Sequence, residues 1–127
     1  MSQDLTLHQR RREPNADELA GIPWLSWLSD SERSQTVSRI VVGDAQTGDA
    51  VCRIGRAPTY WFGVIDGLLK MNIDTDKGDS LTFTGVSRGG WFGEGTALKR
   101  EPYRYNVNAL RASVVAGLPV ESFHSLL

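Results

Sequence analysis

The chain has 127 residues, enough for one domain with one sizeable core. Its 14 Lys and Arg against 15 Asp and Glu leave a net charge of −1, which excludes a broad basic surface for nucleic acid or an anionic membrane. The single cysteine, Cys52, excludes an internal disulfide, and no apolar run approaches the roughly 18 residues of a membrane span.

Residues 1–15 are polar, carry Pro14 and lack apolar periodicity, so a flexible lead is expected, with the domain proper over 16–127. Arg10, Arg11 and Arg12 have no apolar segment behind them, so they make no signal peptide; the triplet reads as a solvated tail and the chain as cytoplasmic. Next come Leu19, Ile22, Trp24, Leu25, Trp27 and Leu28, interrupted by Pro23. Their spacing of three and four predicts short helical turns packed on a core. Ser29 with Glu32 three residues on forms a capping box, and a helix from Asp30 to Val37 is expected behind it.

Short apolar runs separated by glycine follow. The expected strands are Arg39–Val42, Ala50–Ile54, Tyr60–Ile65, Leu68–Asp74, Ser80–Val86, Tyr105–Leu110 and Val114–Gly117, with Asp76 to Asp79 as a hairpin loop. Pro119 then opens a last helical piece to Leu127, with Phe123, Leu126 and Leu127 on one face. The pattern predicts a mainly β sandwich or barrel with short flanking helices.

The stretch with chemical content is Gly89-Gly90-Trp91-Phe92-Gly93-Glu94, followed by Thr96-Ala97-Leu98. Glycines allow a tight turn and close approach of backbone N–H groups to a ligand. A helical turn starting near Gly93 would aim free N–H groups at an anion. Glu94 can accept from a sugar hydroxyl, and Arg104 can return as counter-charge. Equally, such glycines serve as plain turn residues.

The order of these features resembles the cyclic-nucleotide-binding domain of the catabolite-activator (Crp/Fnr) family of bacterial transcription regulators. Carrying the resemblance are the run Trp61 to Lys70, the stretch from Gly78 closing on Phe92-Gly93-Glu94, the leading Ile22-Pro23-Trp24-Leu25 and Leu28-Ser29, and Val107, Ala109-Leu110 and Leu118-Pro119 through Phe123. It implies a double-stranded β-helix, jelly-roll-like barrel that senses a cyclic nucleotide or another small anionic effector, with no catalytic residues, metal or resident cofactor. It also implies a homodimer whose long dimer helix and DNA-binding domain lie beyond Leu127. Ligand-binding residues carried over are Gly93 and Glu94, with Trp91 beside them.

Two positions depart from the family. Counting ungapped from Glu94 and from Val107, the phosphate-binding arginine falls on Tyr103, the following hydroxyl position on Arg104, and the small positions on Tyr105 and Asn106. Either Arg104 slips by one residue into the phosphate role, or the phosphate site is lost. Gly95 in place of an aliphatic residue weakens the expected helix by about 1 kcal/mol. A lost charge-assisted phosphate contact forfeits about 1.5–3 kcal/mol, on the order of tenfold to a hundredfold in affinity. Weak or undetectable cyclic AMP binding is expected.

Other chemistries lack their residues. A metal-dependent cupin of similar shape needs clustered ligands, and the chain has only His8 and His124. Cys52 sits in an apolar strand pattern, where a thiol is inert, and one cysteine cannot hold an iron–sulfur cluster. Asp74, Asp76 and Asp79 lack the spacing of a calcium loop. Trp24, Trp27, Trp61 and Trp91 read as core and rim packing.

Overall fold

The computed structural model describes residues 5–74 and 80–127; the expected hairpin loop at 76–79 lies outside them. Helix α1 (Leu5–Arg10) leads, followed by α2 (Ala16–Ala20), a short 3-10 helix (Pro23–Trp27) and α3 (Asp30–Val37). Strands β1 (Val41–Ala45), β2 (Ala50–Cys52), β3 (Tyr60–Asp66), β4 (Leu68–Asp74), β5 (Ser80–Ser87) and β6 (Trp91–Phe92) come next. Helix α4 (Glu94–Lys99), β7 (Asn106–Ala109), β8 (Ser113–Pro119) and α5 (Val120–Ser125) complete the described elements. Among the described residues the strands form two four-stranded antiparallel sheets, ordered β1-β8-β3-β6 and β2-β7-β4-β5. The mainly β, jelly-roll-like architecture expected from the sequence is the one observed.

The first sheet is buried on both faces, and the side-chain alternation shows why. On β3, Phe62 and Val64 join Leu69, Phe92, Val107 and Val115 in a core between the sheets. Trp61 of β3 and Ala116 and Leu118 of β8 face the other way, against Trp24, Leu25, Val120 and Phe123 of the helical layer. Strands buried on both faces read as continuous apolar runs, as Val114 to Leu118 does.

The sequence located most elements and misplaced several ends. Helix α3 starts at Asp30 behind Ser29, whose side chain accepts from the Glu32 amide while Glu32 returns to the Ser29 amide. Strand β1 begins at Val41 and not at Arg39, because the Arg39 and Ile40 amides still bond to the Thr36 carbonyl at the helix exit. Strand β2 stops at Cys52 because the Ile54 amide turns to the Asn106 side chain. The two-residue β6 was too short to show a period.

The largest difference is at the N-terminus. The expected flexible lead contains α1, and Leu7 on it is only 3% exposed. Arg12 exchanges backbone hydrogen bonds with Val42, extending the free edge of β1. Leu5 and Leu7, two residues apart in an otherwise polar stretch, give no helical period, so the segment read as a tail.

Candidate functional site

Strand β6, Gly93 and α4 form one continuous strand–turn–helix unit. Phe92 pairs with Phe62 of β3, fixing the turn against the first sheet. Gly93 then takes φ 87°, a left-handed conformation that disfavours any side chain. At Gly63 the backbone of β3 lies so close to the indole of Trp91 that a Cβ there would collide with the ring. Helix α4 is six residues long, and its first N–H groups lack partners within the helix.

Beside this turn lies a shallow, open depression of about 410 Å³ lined by Met71, Trp91, Phe92, Gly93, Glu94, Gly95, Thr96 and Tyr105. Of the residues expected at the site, Trp91, Gly93 and Glu94 come together here. Most of the Trp91 indole is engaged elsewhere: its ring centroid lies 4.8 Å from Trp61 and 5.2 Å from Trp24, and Trp61 stands 5.1 Å from Phe123 of α5. The indole N–H groups of Trp24, Trp61 and Trp91 are buried without hydrogen-bond partners among the described residues.

Tyr103 and Arg104 part company. Tyr103 is 2% exposed, inside the inter-sheet core, and its hydroxyl donates to the Tyr60 carbonyl at 3.3 Å. Its ring meets Tyr105 edge-on at 5.6 Å. Arg104 points to solvent, its side chain 83% exposed and 3.8 Å from the Glu101 carboxylate. It does not line the depression. Tyr103, Val107 and Ala109 are buried and Tyr105 half-buried, whereas Arg104 and Leu110 are exposed and Asn106 and Asn108 only half-buried. A one-residue slip would turn over β7, whose alternation buries Val107 and Ala109. The alternation was available in the sequence as the signal that keeps Arg104 outside and brings Tyr105 in.

Tyr105 is the site residue that sequence reasoning underrated. Its hydroxyl lies 3.0 Å from where a Cβ of Gly93 would stand, and it is buried with no well-formed hydrogen bond. Burial raises the hydroxyl above its ordinary pKa; nearby Thr96 pulls the other way without reaching good hydrogen-bond geometry. No Lys, Arg or His lines the depression among the described residues, and Glu94 contributes its one carboxylate. The lining therefore suits hydrogen-bonding and apolar groups better than a phosphate.

On its far side, α4 is fastened to α5. His124, with Nε2 protonated, donates to the Ala97 carbonyl at 2.9 Å, and Arg100 stands 3.4 Å from Glu121. A shift of the turn would thus reach the C-terminal helix directly. Among the described residues no three His, Cys, Asp or Glu side chains cluster to hold a metal ion, and no helix is long and apolar enough to cross a membrane.

The comparisons agree with this geometry. The sequence profile of the cyclic nucleotide-binding domain matches residues 43–127, and the chain belongs to that family. The resemblance read from the sequence is borne out, and solved structures of the same fold include a regulator of the Crp type. A candidate cyclic nucleotide binding protein from Ruegeria pomeroyi is 26% identical, with a TM-score of 0.72 over 78% of this chain and 44% of that one. The regulatory subunit of a cAMP-independent protein kinase A from Trypanosoma brucei is 22% identical, with a TM-score of 0.76 over 97% of this chain and 42% of that one. The catabolite activator protein of Thermus thermophilus is 18% identical, with a TM-score of 0.71 over 82% and 49%. The chain thus spans less than half the length of each of these three. No curated protein shows significant sequence similarity to it.

Proposed function

We propose that this chain is the effector-sensing domain of a Crp/Fnr-type transcription regulator, with a degenerate phosphate-binding cassette. The observation that carries the reading is the fastening of α4 to α5: the turn at Gly93 and Glu94 is joined by His124–Ala97 and Arg100–Glu121 to the last helix. Ligand at the depression would shift the population of α5 positions, and through them the geometry of a homodimer and its DNA readers. The reading is of a cytoplasmic protein that performs no catalysis and needs no metal. The likeness to a kinase regulatory subunit supports a second reading, a binding module or dimerisation scaffold without DNA output. A DNA-binding assay on the full-length gene product separates the two.

Binding is tested by isothermal titration of cyclic AMP and cyclic GMP into the domain and into Arg104→Ala. The expected outcome is little or no heat with either nucleotide, unchanged by the substitution, because Arg104 faces solvent and Tyr103 fills the arginine position. Micromolar binding abolished by Arg104→Ala would overturn the loss of the phosphate site.

A further inference from the structure

The Arg10–Arg12 run belongs to an arm, residues 5–12, laid against the barrel edge. Leu7 is its buried anchor. It sits over Gly43 and Gly117, where a Cβ would stand 2.9 Å from Leu7 Cδ1 and 2.6 Å from Leu7 Cδ2 respectively. That same point above Gly117 is 3.0 Å from the Tyr60 ring, so Leu7 and Tyr60 meet there. Beyond the anchor the attachments are polar. Arg12 exchanges backbone hydrogen bonds of 2.8 and 3.0 Å with Val42. Arg10 donates to the Asp44 carbonyl at 3.1 Å and to the Asp49 carboxylate at 2.9 Å. Two bonds of 2.8 Å join Arg12 to Glu18.

Tyr60 is where the arm meets the site. Its carbonyl takes the Tyr103 hydroxyl, Tyr103 packs on Tyr105, and the Tyr105 hydroxyl lies under Gly93. The connection thus passes from Leu7 to the Tyr60 ring, from the Tyr60 main-chain carbonyl to the Tyr103 hydroxyl, and from Tyr103 through Tyr105 to the turn. We propose that residues 5–12 are an intramolecular strap that, when docked, holds Tyr103 and Tyr105 beneath the Gly93 turn and keeps the depression shallow. Undocking frees the Tyr60 ring, with β3 still paired, and lets the tyrosine pair move aside. The inference rests on the reading that the depression at Gly93 and Glu94 is the effector site. An anchor at Leu7 and partly exposed, salt-screened ion pairs make the arm the kind of segment that opens locally, without global unfolding. By linkage, a ligand that needs the tyrosines displaced would favour release of the strap.

Hydrogen exchange read by mass spectrometry on the ligand-free 127-residue chain tests this. In Arg10→Gln/Arg12→Gln, and separately in Leu7→Ala, amides of residues 5–12 and of 93–105 should exchange faster together, by on the order of tenfold. Strands β3 and β8 should keep their protection. Tyr103→Phe cuts the connection at its middle, so in that background the strap substitutions should accelerate 5–12 and add nothing at 93–105. Faster exchange confined to the arm and β1 would overturn the proposal, as would uniform acceleration of the whole chain. Because no ligand is used, failure of a nucleotide to bind bears on the effector site alone, whereas uncoupled exchange refutes the strap alone.

Discussion

At Gly63 there is room for a hydrogen and nothing larger, because the Trp91 indole lies flat on the strand. Gly63→Ala should therefore push Trp91 out of its contacts with Trp24 and Trp61. Overpacking of this kind costs about 1–3 kcal/mol, to be read in urea unfolding together with loss of the tryptophan near-UV circular dichroism; an unchanged midpoint would mean the indole yields freely. A charge at the base of the arm gives a second residue-scale prediction. Hydrogen bonding to the Arg12 guanidinium, helped by the Asn15 amide, holds the Glu18 carboxyl below its ordinary value of 4.5. A lowered folded value means that the stabilisation is complete above the ordinary carboxylate value. It is then lost as pH falls through the lowered one. Glu18→Gln should thus be less stable than the native chain at neutral pH, and the two should converge in acid. Solvent screening around the partly exposed Arg12 keeps the difference to about 1 kcal/mol or less. A gap that persisted in strong acid would show that shape and not charge is responsible.

Helix α3 is the element whose physics is most local. Ser29 and Glu32 satisfy each other's amides at its start, and that reciprocal pattern was readable directly from the two residue types at their spacing. Ser29→Ala should cost about 1 kcal/mol, measured by chemical denaturation; no loss would mean water replaces the cap. The strands were legible where glycines bounded an apolar run, as at β3 and β4. Their ends were not: the Arg39 and Ile40 amides stay with the Thr36 carbonyl at the helix exit, and the Ile54 amide is held by Asn106, a partner only the folded sheet supplies. Helix α1 was hidden for the same reason: Leu7 is buried by Gly43 and Gly117, which only the folded sheet brings together. At the site, the turn at Gly93 and Glu94 was legible from the glycine pattern; Tyr103, expected at the pocket, lies in the inter-sheet core and does not line the depression. That Arg104 stays outside follows from the burial of Tyr103 in the core and of Val107 and Ala109 on β7, which fix the register on either side of it and leave no place for a cation inside.

Across the whole molecule, the first sheet serves as a wall shared by two cores. Its inner face carries Phe62, Val64 and Val115, and its outer face carries Trp61, Ala116 and Leu118 under the helical layer. Because successive residues of one strand enter both cores, neither can loosen while the other keeps its packing. The tryptophan cluster reports on the outer core through near-UV circular dichroism, and the far-UV signal reports on the sheets. In urea the two should follow one transition. Phe123 is the test, since it anchors α5 onto Trp61 from the helical side and is 8% exposed. Phe123→Ala should destabilise the chain by about 3–5 kcal/mol while the two signals continue to coincide, because the cost is borne by the shared wall. Were the near-UV signal to vanish well before the far-UV signal, the helical layer would be melting as a unit of its own. In that case α5 would move independently of the barrel, and a ligand at Gly93 would have no rigid partner through which to act.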